Sequence, residues 1–233
     1  MKVLLIIALC TPAAAWSEEK AQTSELVGNL GSRAALLVLN ATQGPDAGWR
    51  LSGEYILFPT LARRFLQGER GPELGVTTLK EGSTPILYGH DPIGELRGVW
   101  RDGSFKGTRY AAGGQEREHF EFSEEFPPMQ AYSAAVRCQA GESTLAYVAE
   151  QGRLKSFEWR AGACTLAGLQ QQAAARGGLR LAAGECAVTL REVGELVKVA
   201  AEGCQAQCAG QAAPEPLVVE RRGGCRLLRA QAR

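Results

Sequence analysis

Residues 95–110 are ELRGVWRDGSFKGTRY, and their pattern is the clearest indication of secondary structure in the chain. Two runs of alternating residues flank the pair Asp102-Gly103, which is typical of the two-residue turn in a β-hairpin. The residues that share one face of these runs are Leu96, Gly98 and Trp100 before the turn, and Phe105, Gly107 and Arg109 after it. Because successive side chains of a strand point to opposite faces, this period of two predicts an antiparallel pair with one buried face.

The same alternation extends in both directions along the chain. Upstream, residues 49–57 (WRLSGEYIL) alternate and follow an apolar run at 34–40 (AALLVLN), with a turn-rich segment at 43–48 between them. Downstream, Phe120 and Phe122 alternate with polar residues. Turn signals at intervals of roughly ten residues predict a meander that closes into a barrel or a sandwich.

Residues 60–70 (TLARRFLQGER) do not show this alternation. Apolar residues in this stretch lie at helical spacing, so we expect an ordered loop or a short helix across one end of the barrel. The arginine fork binds carboxylates and phosphates through two hydrogen bonds. We therefore interpret Arg63, Arg64 and Arg70 as a candidate interaction loop, although solvated strand ends would explain the same residues.

A proline pair, Pro127-Pro128, marks the predicted domain boundary, because these residues favour an extended connection. The second half repeats the hairpin pattern, as at residues 143–159. The predicted order is a signal peptide (1–15), a leader (16–25), an N-terminal antiparallel β domain (26–126), a proline-rich linker (127–131) and a C-terminal β domain (132–233). The predicted fold class is therefore all-β, with two small antiparallel domains that are barrel- or sandwich-like.

Charge argues against two classes of partner. The chain has 26 basic and 25 acidic side chains, so no strong field of either sign favours nucleic acid or a membrane surface. No apolar run after the first ten residues approaches the ~20 residues of a membrane span. Residues 16–128 carry 12 basic and 16 acidic side chains, and residues 129–233 carry 13 and 9, so the two halves could attract each other.

The N-terminus has the pattern of an export signal. Lys2 precedes an apolar run at residues 3–9, and the small residues at 13–15 suit cleavage before Trp16. We therefore expect a periplasmic or secreted protein.

Six cysteines follow the predicted cleavage site, and all lie in the second half of the chain. They are Cys138, Cys164, Cys186, Cys204, Cys208 and Cys225. In an oxidising compartment these thiols are expected to form three disulfides, for which sequence alone allows 15 pairings. We prefer Cys164 with Cys186, and leave the order of the other two bridges open. A metal or redox site at Cys204 and Cys208 is disfavoured, because the further ligands or motif that it needs are missing.

Candidate catalytic groups are few. The two histidines are His90, in a turn-like segment, and His119, on the expected outer face of a strand. Glutamates occur in pairs at 18–19, 116 and 118, and 124–125, but adjacency in sequence does not place two carboxylates across a cleft as a glycosidase requires. Motifs for nucleotide, dinucleotide or zinc-protease chemistry are missing. We assign no catalytic residue, no cofactor and no metal.

Two sets of residues resemble known proteins. Gly53-Glu54-Tyr55, Leu79-Lys80-Glu81-Gly82 and residues 94–100 (GELRGVW) resemble the β-meander of uncharacterised bacterial periplasmic proteins, in which such strands line a small barrel. The run Cys186–Leu190, followed by Cys204 and Cys208, is similar to the cysteine-bearing β modules of lysozyme-inhibitor-like proteins. This resemblance implies no catalytic residue.

Taken together, these features predict an exported, non-catalytic envelope protein that binds a protein or a glycan. Lysozyme inhibition is its most concrete form, with a loop at 61–70 entering a sugar-binding cleft. A carboxylate-based glycan hydrolase and a structural subunit of an envelope assembly are the alternatives.

Overall fold

The structure is a computed structural model, and it describes residues 21–43, 48–70, 76–85, 92–220 and 222–228. These ranges contain eighteen strands and no helix, which confirms the all-β class. The predicted signal peptide and His90 lie outside the described residues. Within the described ranges there is no helix with the length and apolarity that crossing a membrane requires.

Eight antiparallel strands form a closed barrel in simple meander order. They are β1 (Ala21–Leu30), β2 (Arg33–Gln43), β3 (Trp49–Leu57), β4 (Ala62–Arg70), β5 (Val76–Gly82), β6 (Gly94–Arg101), β7 (Ser104–Ala111) and β8 (Glu116–Ser123). The barrel closes where β1 pairs with β8, with Val27 opposite Ser123 and Leu30 opposite Phe120. Closure leaves this sheet without a free edge.

The predicted alternation of inward and outward residues is confirmed. Leu51, Tyr55 and Leu57 of β3 are buried in the barrel core, and Phe120 and Phe122 of β8 are buried in the same core. The hairpin at 95–110 forms β6 and β7, with Trp100 opposite Phe105. An eight-stranded barrel is narrow enough for its own side chains to fill it, and this one has a packed interior.

Two expectations for the first half are wrong. Residues 62–70 form strand β4, which pairs with β3 and β5, where a loop or short helix was expected. Arg64 faces the barrel interior and Arg70 faces its mouth. Because these two inward positions of β4 carry charged side chains, the strand does not show the usual alternation of apolar and polar residues. The leader expected at 16–25 is also too long, because β1 begins at Ala21.

The cysteine-bearing half consists of two antiparallel sheets. One has the order β12-β11-β10-β9 and the other the order β13-β14-β15-β16-β17-β18. These strands are β9 (Ala134–Ala140), β10 (Ser143–Glu150), β11 (Arg153–Ala161), β12 (Cys164–Ala167), β13 (Gln170–Gln172), β14 (Leu179–Ala183), β15 (Cys186–Val193), β16 (Leu196–Glu202), β17 (Leu217–Glu220) and β18 (Cys225–Leu227). Buried side chains from both sheets, including Trp159 and Val188, form one core. Residues 124–133, which include the predicted linker, contain no strand.

All six cysteines form disulfides, but the preferred pairing of Cys164 with Cys186 is wrong. The bridges are Cys138–Cys225, Cys164–Cys208 and Cys186–Cys204. The antiparallel register of β15 and β16 places Ala187 opposite Glu202. Cys186 is the residue before Ala187, Cys204 is the second residue after Glu202, and their Cα atoms are 4.2 Å apart. Loop length suggested the wrong partner because hairpin register decides which cysteines meet.

The outer wall of the barrel packs against the second half. Their shared apolar cluster includes Leu36 and Ile56 from the barrel and Val193 and Val218 from the sheets. Ion pairs lie at the same boundary. Glu25 of β1 pairs with Arg191, at 2.6 Å, and with Lys198. Glu124 and Arg176 lie 3.5 Å apart across the same boundary. Each of these three ion pairs joins an acid of the first half to a base of the second.

Candidate binding site at the barrel mouth

The two ends of the barrel differ in chemistry. At one end, the ion cluster, defined as Tyr55, Arg64, Glu81 and Arg109, fills the interior. At the other end, where the β6–β7 turn lies, a cleft of about 440 Å³ opens to solvent. We call this cleft the barrel mouth. Leucine and phenylalanine side chains fill the space between the two ends.

Apolar and aromatic side chains form the floor of the barrel mouth. They are Leu39, Ala41, Trp49, Leu51 and Trp100. The ring of Trp100 stacks on that of Phe105, with a centroid separation of 4.8 Å and an angle of 15° between the planes. Phe105 is fully buried, so the half-buried Trp100 ring is held by the core beneath it. The indole Nε1 of Trp100 has no hydrogen-bond partner among the described residues.

Polar side chains surround this floor. They are Gln22, Ser24, Arg70, Arg101, Asp102 and Glu124. The guanidinium of Arg70 lies over the Trp100 ring at 5.7 Å from its centroid, within the range of a cation–π contact. Arg70 is also the residue opposite Trp49 in the β3–β4 register. The mouth therefore presents two indole rings beside hydrogen-bond donors and acceptors.

The ion cluster closes the opposite end. Glu81 has no exposed surface and accepts hydrogen bonds from Arg109 Nε at 2.7 Å and from its terminal nitrogen at 3.0 Å. Arg64 Nε lies 3.5 Å from the same carboxylate. The hydrogen bond to Glu81 raises the pKa of Arg109, and burial, reinforced by the Glu81 charge, raises the pKa of Tyr55 well above its ordinary range. The charges and hydrogen-bonding groups of the cluster are paired with one another. We therefore assign the cluster a structural role, which is to close this end of the barrel.

The structure separates the three arginines of the candidate interaction loop. Arg63 pairs with Glu54, Arg64 joins the ion cluster, and Arg70 lines the barrel mouth. They lie on a strand and do not form one loop surface. The exposed His119 lies 3.2 Å from the Thr108 hydroxyl and 3.6 Å from Glu116.

The sequence reasoning missed Trp49 and Trp100 as site residues. Both were interpreted only as members of a buried strand face. The available signal was position: each stands at or next to the end of its strand, where an inward side chain reaches the rim of a barrel.

In the described part of the chain, histidine, cysteine, aspartate and glutamate side chains form no group of three or more that could hold a metal ion. Comparison with protein families, curated proteins and solved structures finds no match to this chain.

Proposed function

We propose that this protein is an exported, non-catalytic binding protein that holds a glycan in the barrel mouth. The observation that carries the proposal is the pairing of two indole rings, Trp49 and Trp100, with polar side chains in one cleft. A volume of about 440 Å³ lies within the range of roughly 300–1,000 Å³ that is usual for small-ligand sites.

Glycans fit this chemistry better than purely apolar ligands do. A sugar ring has an apolar C–H face, which can lie on an indole, and a rim of hydroxyls that both donate and accept hydrogen bonds. Arg70 and Arg101 supply donors, and Asp102 and Glu124 supply acceptors. An aromatic side chain offers a large contact surface with little loss of conformational freedom.

The rest of the structure holds the strands that carry the barrel mouth in fixed positions. The barrel core and the ion cluster fix the strands that carry the mouth, and the second half is held by three disulfides. Disulfides persist in oxidising compartments, which agrees with the predicted export signal.

The other expectations have less support. Lysozyme inhibition through a loop at 61–70 loses its structural basis, because residues 62–70 are strand β4. An assembly subunit would need a large exposed apolar patch. The large hydrophobics exposed in the described ranges are Val76, Ile93 and Val99.

A glycan hydrolase is the second candidate, because Asp102 and Glu124 line the same cleft as the indoles. Two carboxylates across a bound sugar are the minimum that this chemistry needs. The two candidates share a site and differ in whether the bound sugar is cleaved.

Saturation-transfer NMR with the oxidised mature protein tests the proposal, with neutral and anionic envelope oligosaccharides as probes. We expect binding that Trp49→Ala abolishes and that Tyr110→Ala preserves, since Tyr110 is a half-buried aromatic that does not line the mouth. Appearance of shorter sugars would favour the hydrolase. Failure of every oligosaccharide to bind, or equal binding by the Trp49 variant, would reject the mouth as a glycan site.

A further inference from the structure

We propose that the barrel mouth selects saccharides that carry an anionic group, and that Arg70 binds this anion. The inference rests on the proposed glycan function and names the ligand class for the same site. It depends on how Arg70 differs from the other arginines of the barrel.

Half-buried arginines of the barrel are normally paired with a carboxylate. Arg63 pairs with Glu54, and Arg64 and Arg109 both face Glu81. Arg70 is also half-buried, yet no carboxylate among the described residues lies within ion-pair distance of it. Partial removal of a charge from water is unfavourable unless a partner compensates it. An anionic ligand would supply the kind of partner that the other three arginines find among the described residues.

Arg70 also lies beside the aromatic floor of the mouth. Its guanidinium carbon is over the Trp100 ring at 5.7 Å from the centroid, and Trp100 is itself stacked on Phe105. The edge nitrogens of a guanidinium bind a carboxylate or a phosphate through two hydrogen bonds. One cleft therefore contains an aromatic surface on which a sugar ring can stack and, beside it, a cation that can bind an anionic substituent of that sugar.

The acidic residues of the mouth limit the number of anionic groups that a bound ligand can carry. Asp102 and Glu124 line the same cleft, and either would repel a second anionic group while accepting hydrogen bonds from sugar hydroxyls. We therefore infer a glycan segment with one anionic group beside the stacked ring. A carboxylate and a phosphate both satisfy this description, and the test distinguishes them.

Isothermal titration calorimetry at low ionic strength compares neutral and anionic ligands on the same sugar backbone. Chitobiose is the neutral probe, and the N-acetylglucosamine–N-acetylmuramic acid disaccharide adds one lactyl carboxylate to that backbone. N-acetylglucosamine and its 6-phosphate form the second pair. We expect at least about tenfold tighter binding of an anionic member than of its neutral counterpart, the scale of one charge-assisted hydrogen bond. The pair that shows the preference identifies the anion.

Arg70→Gln should abolish the preference, so that the anionic and the neutral member of each pair bind this variant with equal affinity. Arg70→Lys keeps the charge without the fork, so it should retain part of the preference. Arg117→Gln, an exposed arginine at the other end of the barrel, is the matched control and should behave as the wild type. Circular dichroism checks that each variant is folded.

Two kinds of result would overturn the inference, and they reject different claims. Equal affinities within both pairs, or an Arg70→Gln variant that keeps the preference, would reject anion selection while the glycan function stands. No binding of any sugar would reject the proposed function, and the inference with it.

Discussion

Glu81 and Arg109 meet inside the barrel through two hydrogen bonds, although 28 residues separate them along the chain. The Glu81 side chain is fully buried, and that of Arg109 is 19% exposed. A buried carboxylate is tolerated only when charge and hydrogen bonds compensate its lost hydration. This pair therefore joins β5 to β7 and closes one end of the barrel.

Arg109→Met should destabilise the protein strongly, because it removes the two hydrogen bonds from Arg109 and leaves the more distant Arg64 as the cation beside the buried Glu81. We expect a loss of about 3–5 kcal/mol in the free energy of unfolding, the scale for breaking a buried ion pair. Urea denaturation followed by circular dichroism measures it. Arg97→Met removes an exposed partner of Glu95 and should cost less than about 1 kcal/mol. Similar small losses in both variants would contradict a compensating role for Arg109.

Tyr55 and Tyr147 should make the protein sensitive to alkali. Burial raises the pKa of both phenols, with Glu81 adding to the effect at Tyr55 and the Tyr132 hydrogen bond at Tyr147. Above about pH 10 the unfolded chain loses these protons and the folded chain keeps them, so stability should fall as pH rises. Tyr55→Phe and Tyr147→Phe should each make this fall shallower, as measured by denaturation at several pH values. An unchanged slope in both would show that neither phenol is responsible.

The alternation of apolar and polar residues was enough to predict β2, β3, β6, β7 and β8, because period two directly reports which residues face inward. It failed at β4, where the inward residues Arg64 and Arg70 find their partners, Glu81 and Trp100, on other strands. No local pattern contains those partners. The candidate binding site was missed for the same reason, since Trp49 and Trp100 line one cleft only when the sheet closes.

The Cys138–Cys225 bridge should be reduced before the other two. Both of its cysteines are half-buried, whereas the four cysteines of the other bridges are at most 2% exposed. A reductant reaches a disulfide by direct attack on sulfur, so access limits the rate. Mild reduction without denaturant, followed by alkylation and peptide mass mapping, should label Cys138 and Cys225 first. Simultaneous labelling of all six thiols would count against this order.

Gly107→Ala should destabilise the barrel. An added Cβ would lie 1.9 Å from the Arg97 carbonyl oxygen and 2.5 Å from the Cα of Gly98, so two strands would have to separate. We expect a loss of about 3 kcal/mol, the upper range for overpacking. At Gly48 the nearest atom to an added Cβ is 3.6 Å away, so Gly48→Ala is the matched control. Thermal denaturation should separate the two variants, and equal melting temperatures would refute the steric explanation.

Glu25→Gln should weaken the attachment of the barrel to the disulfide-bonded half. The change leaves Arg191 and the mostly buried Lys198 without their shared carboxylate. Because Glu25 is itself 21% exposed, we expect a loss of about 1–3 kcal/mol, less than for a fully buried pair. Urea denaturation measures the loss, and limited proteolysis should reveal faster cleavage between the halves.

Glu121→Gln, the control, removes the exposed pair with Lys106 and should change stability by less than about 1 kcal/mol. If both variants resist urea and protease equally, the apolar cluster around Leu36 and Val193 holds the halves together without help from these charges.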